Sequence, residues 1–95
     1  MPAYLVADVQ VTDPVRYEDY KQLAATAIAK FGGRYLVRGG AHTTVEGEWK
    51  PNRLVIMEFA DVATARRFYD SPEYREARAA RANAAKGQFV IVEGL

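Results

Sequence analysis

The alternation of apolar and polar residues divides the first part of the chain into strand-like and helix-like segments. Residues 3–11, AYLVADVQV, are rich in residues that favour extended structure and predict the first strand. Over residues 17–31 apolar side chains recur at three- and four-residue spacing, which predicts a helix with one apolar stripe. Thr12 and Asp13 are candidates for its N-cap, Pro14 suits its first helical position, and Gly32-Gly33 suits its end.

Shorter predicted elements follow in the second part of the chain. Asp61 is suited to cap a second helix, and Ser71 with Pro72 starts a third helix that is rich in Ala and Arg. Lys86-Gly87 marks the expected end of this third helix. The remaining predicted bounds are strands over residues 34–38, 53–59 and 88–93, and the third helix over residues 72–85.

The predicted order of elements is β-α-β-β-α-(α)-β in a single domain of residues 1–95. This order is typical of the ferredoxin-like arrangement, an α+β fold in which helices cover one face of an antiparallel four-stranded sheet. Both faces of the predicted strands are mostly apolar, whereas a sheet with one wet face alternates apolar and polar residues. The second face therefore needs a partner. We expect a second copy of the chain, in a homodimer with the sheets packed face to face.

An alternative for the open sheet is a monomer that stacks RNA bases on it. The strand sequence RLVIMEF lacks the Arg/Lys-Gly-aromatic signature of RNA-binding sheets. The charge is also nearly balanced, with 13 Lys and Arg against 12 Asp and Glu and a net charge of +1. We therefore expect neither a nucleic-acid partner nor a membrane surface as partner.

The rest of the composition excludes several kinds of catalytic and metal site. Cysteine is absent, which excludes a thiolate nucleophile, a disulfide framework and a Cys-based zinc site. The spacing of His, Asp and Glu fits no metal site, so neither a metal nor another cofactor is expected. The N-terminus lacks the pattern of a signal peptide and no segment is apolar enough to span a bilayer, so a cytoplasmic location is the expectation.

Charged residues inside otherwise apolar strands are the first candidates for a site, because an unpaired charge in a half-buried strand is costly. Asp8, Arg38 and Glu58 are expected on one face, together with Tyr4. In the functional interpretation Arg38 binds an anion and Glu58 is a general base. In the structural one, an Arg–Glu pair fixes strand register or the orientation of the partner.

The long loop of residues 41–52 carries the next candidates. His42 is the only histidine and a candidate general base, and a loop histidine without a catalytic role is the alternative. Trp49 is a candidate ligand-binding residue, and an anchor of the loop or an interface residue is the alternative. Glu46 and Arg53 are candidate ligand-binding residues, Arg53 orienting a ligand together with Arg38.

Arginines crowd the second and third predicted helices, where nearby acidic residues offset their charge, as on a solvated helix face. Tyr74 and Arg81 are exceptions. They share one helix face and are candidates for lining a pocket.

The segments YLVRGG, EG-W-P-R, the strand ending in Glu58-Phe59, the run SPEY at residues 71–74, Arg81 and the ending VEG resemble the bacterial domain-of-unknown-function family 1330. The resemblance covers nearly the whole chain and departs from the family at Phe68, where many members have Trp. It implies a dimeric α+β barrel. Relatives of that superfamily include cofactor-independent monooxygenases and isomerases, whose catalytic residues do not transfer to this chain.

Two functional hypotheses follow. In the first, the chain is a small homodimer that binds or acts on a small anionic or aromatic metabolite in a pocket beside the sheet; if it is an enzyme, monooxygenase-like or isomerase-like chemistry is expected. In the second, it is a non-catalytic dimeric barrel that serves as a ligand-binding or interaction module.

Overall fold

The computed structural model describes all residues, 1–95, and has an α+β architecture with helices on one face of a sheet. Its strands are β1 (Ala3–Val11), β2 (Arg34–Arg38), β3 (Leu54–Phe59) and β4 (Ala85–Glu93), and its helices are α1 (Pro14–Lys30), α2 (Val62–Asp70) and α3 (Pro72–Arg81). The strands form one antiparallel sheet in the order β2-β3-β1-β4. The predicted ferredoxin-like order and four-stranded sheet are confirmed.

The hydrophobic core lies between the sheet and the helices. Alternate residues of β1 and β3 point toward the helices and are buried, among them Leu5 and Phe59. The helices complete the core with aromatic rings: Phe68 packs 5.0 Å from Phe59 and 4.5 Å from Tyr74, measured between ring centroids. Phe68 is fully buried in this core.

Capping side chains start all three helices where the sequence predicts. The carboxylates of Asp13 and Asp61 accept hydrogen bonds from backbone N–H groups three residues later, and the Ser71 hydroxyl accepts one from the Tyr74 N–H. At the end of α1, Gly32 takes a positive φ of 71°. The next residue, Gly33, lies so close to the Phe59 ring that a Cβ there would stand 2.5 Å from it.

The predicted boundary between the third helix and the last strand was wrong. The helix ends at Arg81 rather than near Ala85, and the strand begins at Ala85 rather than at Gln88. Residues 85–87 pair with the end of β1, so that Ala85 lies opposite Val11. Sheet pairing outweighs the helix propensity of an alanine-rich segment here, because propensity differences are small compared with tertiary contacts.

A β-bulge in β2 decides which face its side chains occupy. Tyr35 lies opposite Met57 while Val37 lies opposite Ile56, so Leu36 is an extra residue in the strand. Beyond the bulge, Arg38 lies opposite Val55 on the helix side of the sheet.

The other face of the sheet carries no helix, and its residues form three rows across the strands. The middle row is wholly apolar, and the outer rows mix apolar and polar side chains. The rows are Arg34, Glu58, Tyr4 and Val92; then Val37, Ile56, Val6 and Val90; then Leu54, Asp8 and Gln88. We call this surface the open face. Val90 and Val92 on it are 60% and 48% exposed. None of the three helices has the length and apolarity that crossing a membrane would require.

Candidate functional site

A small cavity lies between α1 and the helix side of the sheet. Its volume is about 20 Å³, room for roughly one water molecule. Its walls combine aliphatic strand residues with tyrosines and cations and contain no carboxylate. The lining residues are Ala7, Val9, Tyr17, Tyr20, Lys21, Tyr35, Arg38, Arg53, Val55, Met57 and Phe89. We call this space the α1 cavity.

Arg38 and Arg53 bring two guanidinium groups to the α1 cavity without a carboxylate partner. The Arg38 guanidinium lies 4.4 Å from the centroid of the Tyr35 ring, and that of Arg53 lies 5.9 Å from the Tyr17 ring. Neither arginine forms an ion pair in the protomer. The third cation, Lys21, pairs with Glu18 at 2.8 Å. The two arginines therefore leave net positive charge at the cavity.

The side chain of Arg53 is closely surrounded by protein atoms. Its side-chain Nε is buried and has no hydrogen-bond acceptor. Its Nη1 would stand 2.2 Å from a Cβ placed on Gly39, a residue with a φ of +74°. The backbone of Gly39 thus gives the guanidinium its space. A buried donor without an acceptor costs about 1–3 kcal/mol, so this atom is a natural contact for an anionic ligand.

Tyr20 and Tyr35 line the α1 cavity, whereas Tyr74 and Arg81 adjoin Tyr20 without lining it. These three tyrosines stay neutral at physiological pH. Burial raises the pKa of the Tyr35 hydroxyl to about 12. Burial also raises the pKa of Tyr20 and of Tyr74, whose hydroxyl oxygens lie 2.7 Å apart. Arg81 extends this pair, because its Nη1 lies 3.4 Å from the Tyr74 hydroxyl and its guanidinium 5.2 Å from the Tyr20 ring centroid. Neutral hydroxyls beside unpaired cations can bind an anion without opposing its charge.

The structure separates the charged strand residues that were expected on one face. Asp8 and Glu58 do share the open face with Tyr4, but Arg38 lies on the helix side, so that part of the prediction was wrong. The cause is the bulge at Leu36, which shifts the register by one residue and reverses the facing of Arg38.

Glu58 has a different arginine as its partner on the open face. Arg34 Nε donates to Glu58 Oε1 at 2.7 Å, and the two residues lie opposite each other on β2 and β3. This is the register-fixing type of ion pair that was one of the two interpretations of the strand charges. The carboxylate of Glu58 does not line the α1 cavity. Its role as a general base stays a prediction.

Asp8 anchors the long loop to the open face. Its carboxylate accepts the indole N–H of Trp49 at 3.0 Å and the backbone N–H of Asn52 at 2.9 Å. The indole hydrogen bond, followed by that from Asn52, holds the pKa of Asp8 below its usual range. Trp49 is 62% exposed all the same. Its N–H anchors the loop while much of its ring surface faces solvent.

The other loop candidates do not reach the α1 cavity. His42 Nε2 lies 2.8 Å from the Pro51 carbonyl, an acceptor, so the histidine donates there and ties the two ends of the loop together. Glu46 is exposed, and residues 43–45 form no strand. No group of three or more His, Asp or Glu side chains is arranged to hold a metal ion. Catalysis by His42 and ligand binding by Glu46 stay predictions.

Sequence reasoning missed the tyrosines of α1 and β2 as site residues. Tyr17 and Tyr20 were assigned to the apolar stripe of α1, and they are indeed at least 93% buried there. Their spacing of three residues places both on the face that meets the sheet, and Tyr35 joins them from β2. A stripe containing two tyrosines, rather than only aliphatic residues, was the available signal, because buried hydroxyls need polar partners.

The comparison with known families decides the classification. The family described as domain of unknown function DUF1330 matches residues 2–95. The chain belongs to the DUF1330 family. No curated protein matches this DUF1330 chain.

Solved structures resemble the DUF1330 chain in fold. A protein of unknown function from Rhodopseudomonas palustris is 20% identical with a TM-score of 0.77, over 99% of this chain and 82% of that one. A dimeric ferredoxin-like protein of unknown function from Jannaschia sp. CCS1 is 11% identical with a TM-score of 0.71, over 99% and 100%. SnoaB, a cofactor-independent oxygenase from Streptomyces nogalater, is 17% identical with a TM-score of 0.65, over 99% and 93%. At these identities the likeness shows the fold alone.

Proposed function

We propose that this chain is a homodimer in which each protomer binds a small anionic metabolite through a carboxylate or phosphate group held by Arg38 and Arg53 at the α1 cavity. The observation that carries the ligand class is the pair of guanidinium groups, from Arg38 and Arg53, that face this cavity without a carboxylate. Arg38 is exposed and can meet a ligand from solvent, whereas Arg53 is partly buried and its Nε is a buried donor without an acceptor, which is costly. A carboxylate or phosphate would supply the missing acceptors, including one for the buried Nε of Arg53.

Anion binding is tested by isothermal titration calorimetry and thermal shift with acetate, benzoate and inorganic phosphate. A binder raises the melting temperature by mass action. Arg38→Ala and Arg53→Ala each remove a charge-assisted hydrogen bond and are expected to weaken binding about tenfold or more. Arg75→Ala, an exposed arginine of α3 away from the cavity, is the matched control and leaves the affinity unchanged. Equal loss in all three variants, or binding that survives in both cavity variants, contradicts the proposed site.

The case for the homodimer rests on the open face. A folded monomer of 10.6 kDa exposes about 5,500 Å² by the usual size scaling. This chain exposes 6152 Å². On the open face the middle row is wholly apolar, and Val90 and Val92 are 60% and 48% exposed, which leaves apolar surface for a partner to cover. Structures of the same fold from Bacteroides fragilis, Jannaschia and Thermobifida fusca are described as dimeric.

Sedimentation equilibrium at 1–100 μM tests the dimer and its interface. Ile56→Lys places a charge in the middle of the apolar row and is expected to give a monomer. The control is Val45→Lys, a change at a loop residue that is 93% exposed and is expected to leave the dimer intact. A monomeric wild type across this range, or a dimeric Ile56→Lys variant, contradicts packing through the open face.

A second candidate function is cofactor-independent oxygenation, favoured by the buried Tyr20–Tyr74 hydroxyl pair with Arg81 beside it and by the likeness to SnoaB. Such a network can hold and pass a proton next to a bound phenol or quinol. Oxygen uptake in the presence of a panel of phenols and quinols tests it. Uptake that Tyr74→Phe abolishes supports this candidate, and the absence of any uptake with compounds that bind favours the non-catalytic ligand-binding module.

A further inference from the structure

A second, larger cavity lies on the same side of the sheet, under α2. Its volume is about 360 Å³, within the ~300–1,000 Å³ range of small-molecule sites. Its floor is formed by β1 and β4, and its wall by one aromatic and two charged side chains of α2. The lining residues are Leu5, Arg66, Tyr69, Asp70, Phe89 and Ile91. We call this space the α2 cavity.

Phe89 is the one residue that lines both cavities. Its ring stands between them, with the Arg81 guanidinium 4.4 Å from its centroid and the Tyr69 ring 6.3 Å away. On its own strand the ring lies over Gly87, where a Cβ would meet the ring at 2.6 Å. The partition between the two cavities is thus a single, partly buried aromatic side chain on an edge strand.

The two cavities are complementary in chemistry. The α1 cavity has cations and hydroxyls but holds no more than a water molecule. The α2 cavity has the volume and an apolar floor, and its two charged residues, Arg66 and Asp70, are of opposite sign. Neither space alone suits a metabolite with both an anionic and an apolar part.

We infer that the two cavities are halves of one elongated ligand site that Phe89 divides. The ligand is an amphipathic carboxylate: its anionic head binds Arg38 and Arg53, and its apolar body of one or two rings lies over Leu5 and Ile91 in the α2 cavity. Rotation of Phe89 joins the two halves when the ligand enters. This inference rests on the proposed function, since it takes the anion site at the two arginines as given.

Calorimetry with benzoate, 2-naphthoate and the neutral 2-naphthylmethanol tests the site. The longer ring system reaches past Phe89, so 2-naphthoate is expected to bind wild type at least tenfold more tightly than benzoate. Tyr69→Ala is expected to lower the affinity for 2-naphthoate severalfold without affecting the affinity for benzoate. Arg38→Ala is expected to lower the affinity for both carboxylates and to leave the affinity for the neutral alcohol unchanged.

Phe89→Ala removes the partition and is expected to raise the affinity for 2-naphthoate at least threefold more than it changes the affinity for benzoate. Phe89→Leu, which keeps an apolar side chain on β4, serves if the alanine variant does not fold. Methyl NMR locates the body independently of any variant: 2-naphthoate shifts the Leu5 and Ile91 methyl signals, and benzoate does not.

Three results separate failure of this inference from failure of the proposed function. If benzoate binds through the arginines but 2-naphthoate binds no more tightly and leaves Ile91 unshifted, the anion site stands and the elongated site is wrong. If Phe89→Ala changes the affinities for both carboxylates by the same factor, Phe89 is not the partition. If neither carboxylate nor phosphate binds at all, the proposed function itself is overturned and this inference with it.

Discussion

Removing the hydroxyl from one or the other tyrosine of the buried pair is expected to lower stability by different amounts. Tyr20 and Tyr74 are 7% and 1% exposed, and their hydroxyls lie 2.7 Å apart. Tyr74 has a second partner in Arg81, which donates to its oxygen at 3.4 Å. Tyr20 has no partner other than Tyr74. Tyr74→Phe therefore leaves the Tyr20 hydroxyl buried and unpaired, whereas Tyr20→Phe leaves Tyr74 with Arg81.

The magnitudes follow from these partners. A buried hydroxyl left without a hydrogen bond costs about 1–3 kcal/mol, while losing one of two partners costs about 0.5–1.5 kcal/mol. Tyr74→Phe is expected in the first range and Tyr20→Phe in the second. The double variant leaves no orphaned hydroxyl in the core and is expected to cost no more than Tyr74→Phe alone. The coupling free energy between the two changes should thus be on the order of 1 kcal/mol.

Urea denaturation followed by circular dichroism measures these differences. All variants are compared at one protein concentration, because dimerisation makes apparent stability depend on concentration. Tyr35→Phe, a cavity tyrosine outside the pair, is the control and should change the free energy of unfolding by less than about 0.5 kcal/mol. A Tyr20→Phe variant less stable than Tyr74→Phe, or strictly additive effects in the double variant, would refute the reasoning.

Three further predictions concern the loop and two glycines. Asp8→Asn removes the charged acceptor of the Trp49 indole and is expected to red-shift the tryptophan fluorescence, which in this chain reports on one residue alone. Acid is expected to do the same to wild type, because the pKa of Asp8 is lowered from its ordinary 3.8. Its hold on the loop is complete above that pH and is lost as the pH falls through the lower folded-state pKa. An acid-induced shift of the emission maximum that is equally large in Asp8→Asn contradicts this. Gly39→Ala places a Cβ against the guanidinium of Arg53. It is expected to weaken anion binding by a larger free energy than it removes from the free energy of unfolding, and a benzoate affinity equal to that of wild type would contradict this. Gly33→Ala drives a Cβ into an aromatic ring of the core and should cost about 1–3 kcal/mol in urea denaturation, whereas a neutral result would show that the ring can move aside.

The parts of the fold that the sequence predicted well are those in which several local signals agree. The first strand begins and ends where its run of strand-forming residues does, and Asp13 caps the first helix as its type and position indicate. The predicted end of the third helix failed because alanines carry a strong local preference for helix, while the pairing of Ala85 with Val11 is a contact between residues far apart in the chain.

The site was less predictable than the fold for the same reason. Arg38 and Arg53 were identifiable as candidates by their residue type beside apolar strands. Their convergence with Tyr17 depends on a bulge and on helix packing, neither of which has a local signature in the sequence. Glu58 looked like a partner for Arg38, yet the residue opposite it across the strands is Arg34.

The extra residue at Leu36 decides on which face of the sheet the cation of Arg38 lies. A substitution at Arg38 changes the charge at the α1 cavity, but deletion of one residue from the bulge would move the guanidinium to the opposite surface altogether. The α1 cavity would lose a cation in the same event that adds one to the open face. The length of β2, and not only its residue types, therefore sets how positive charge is divided between the cavity side and the open face of this sheet.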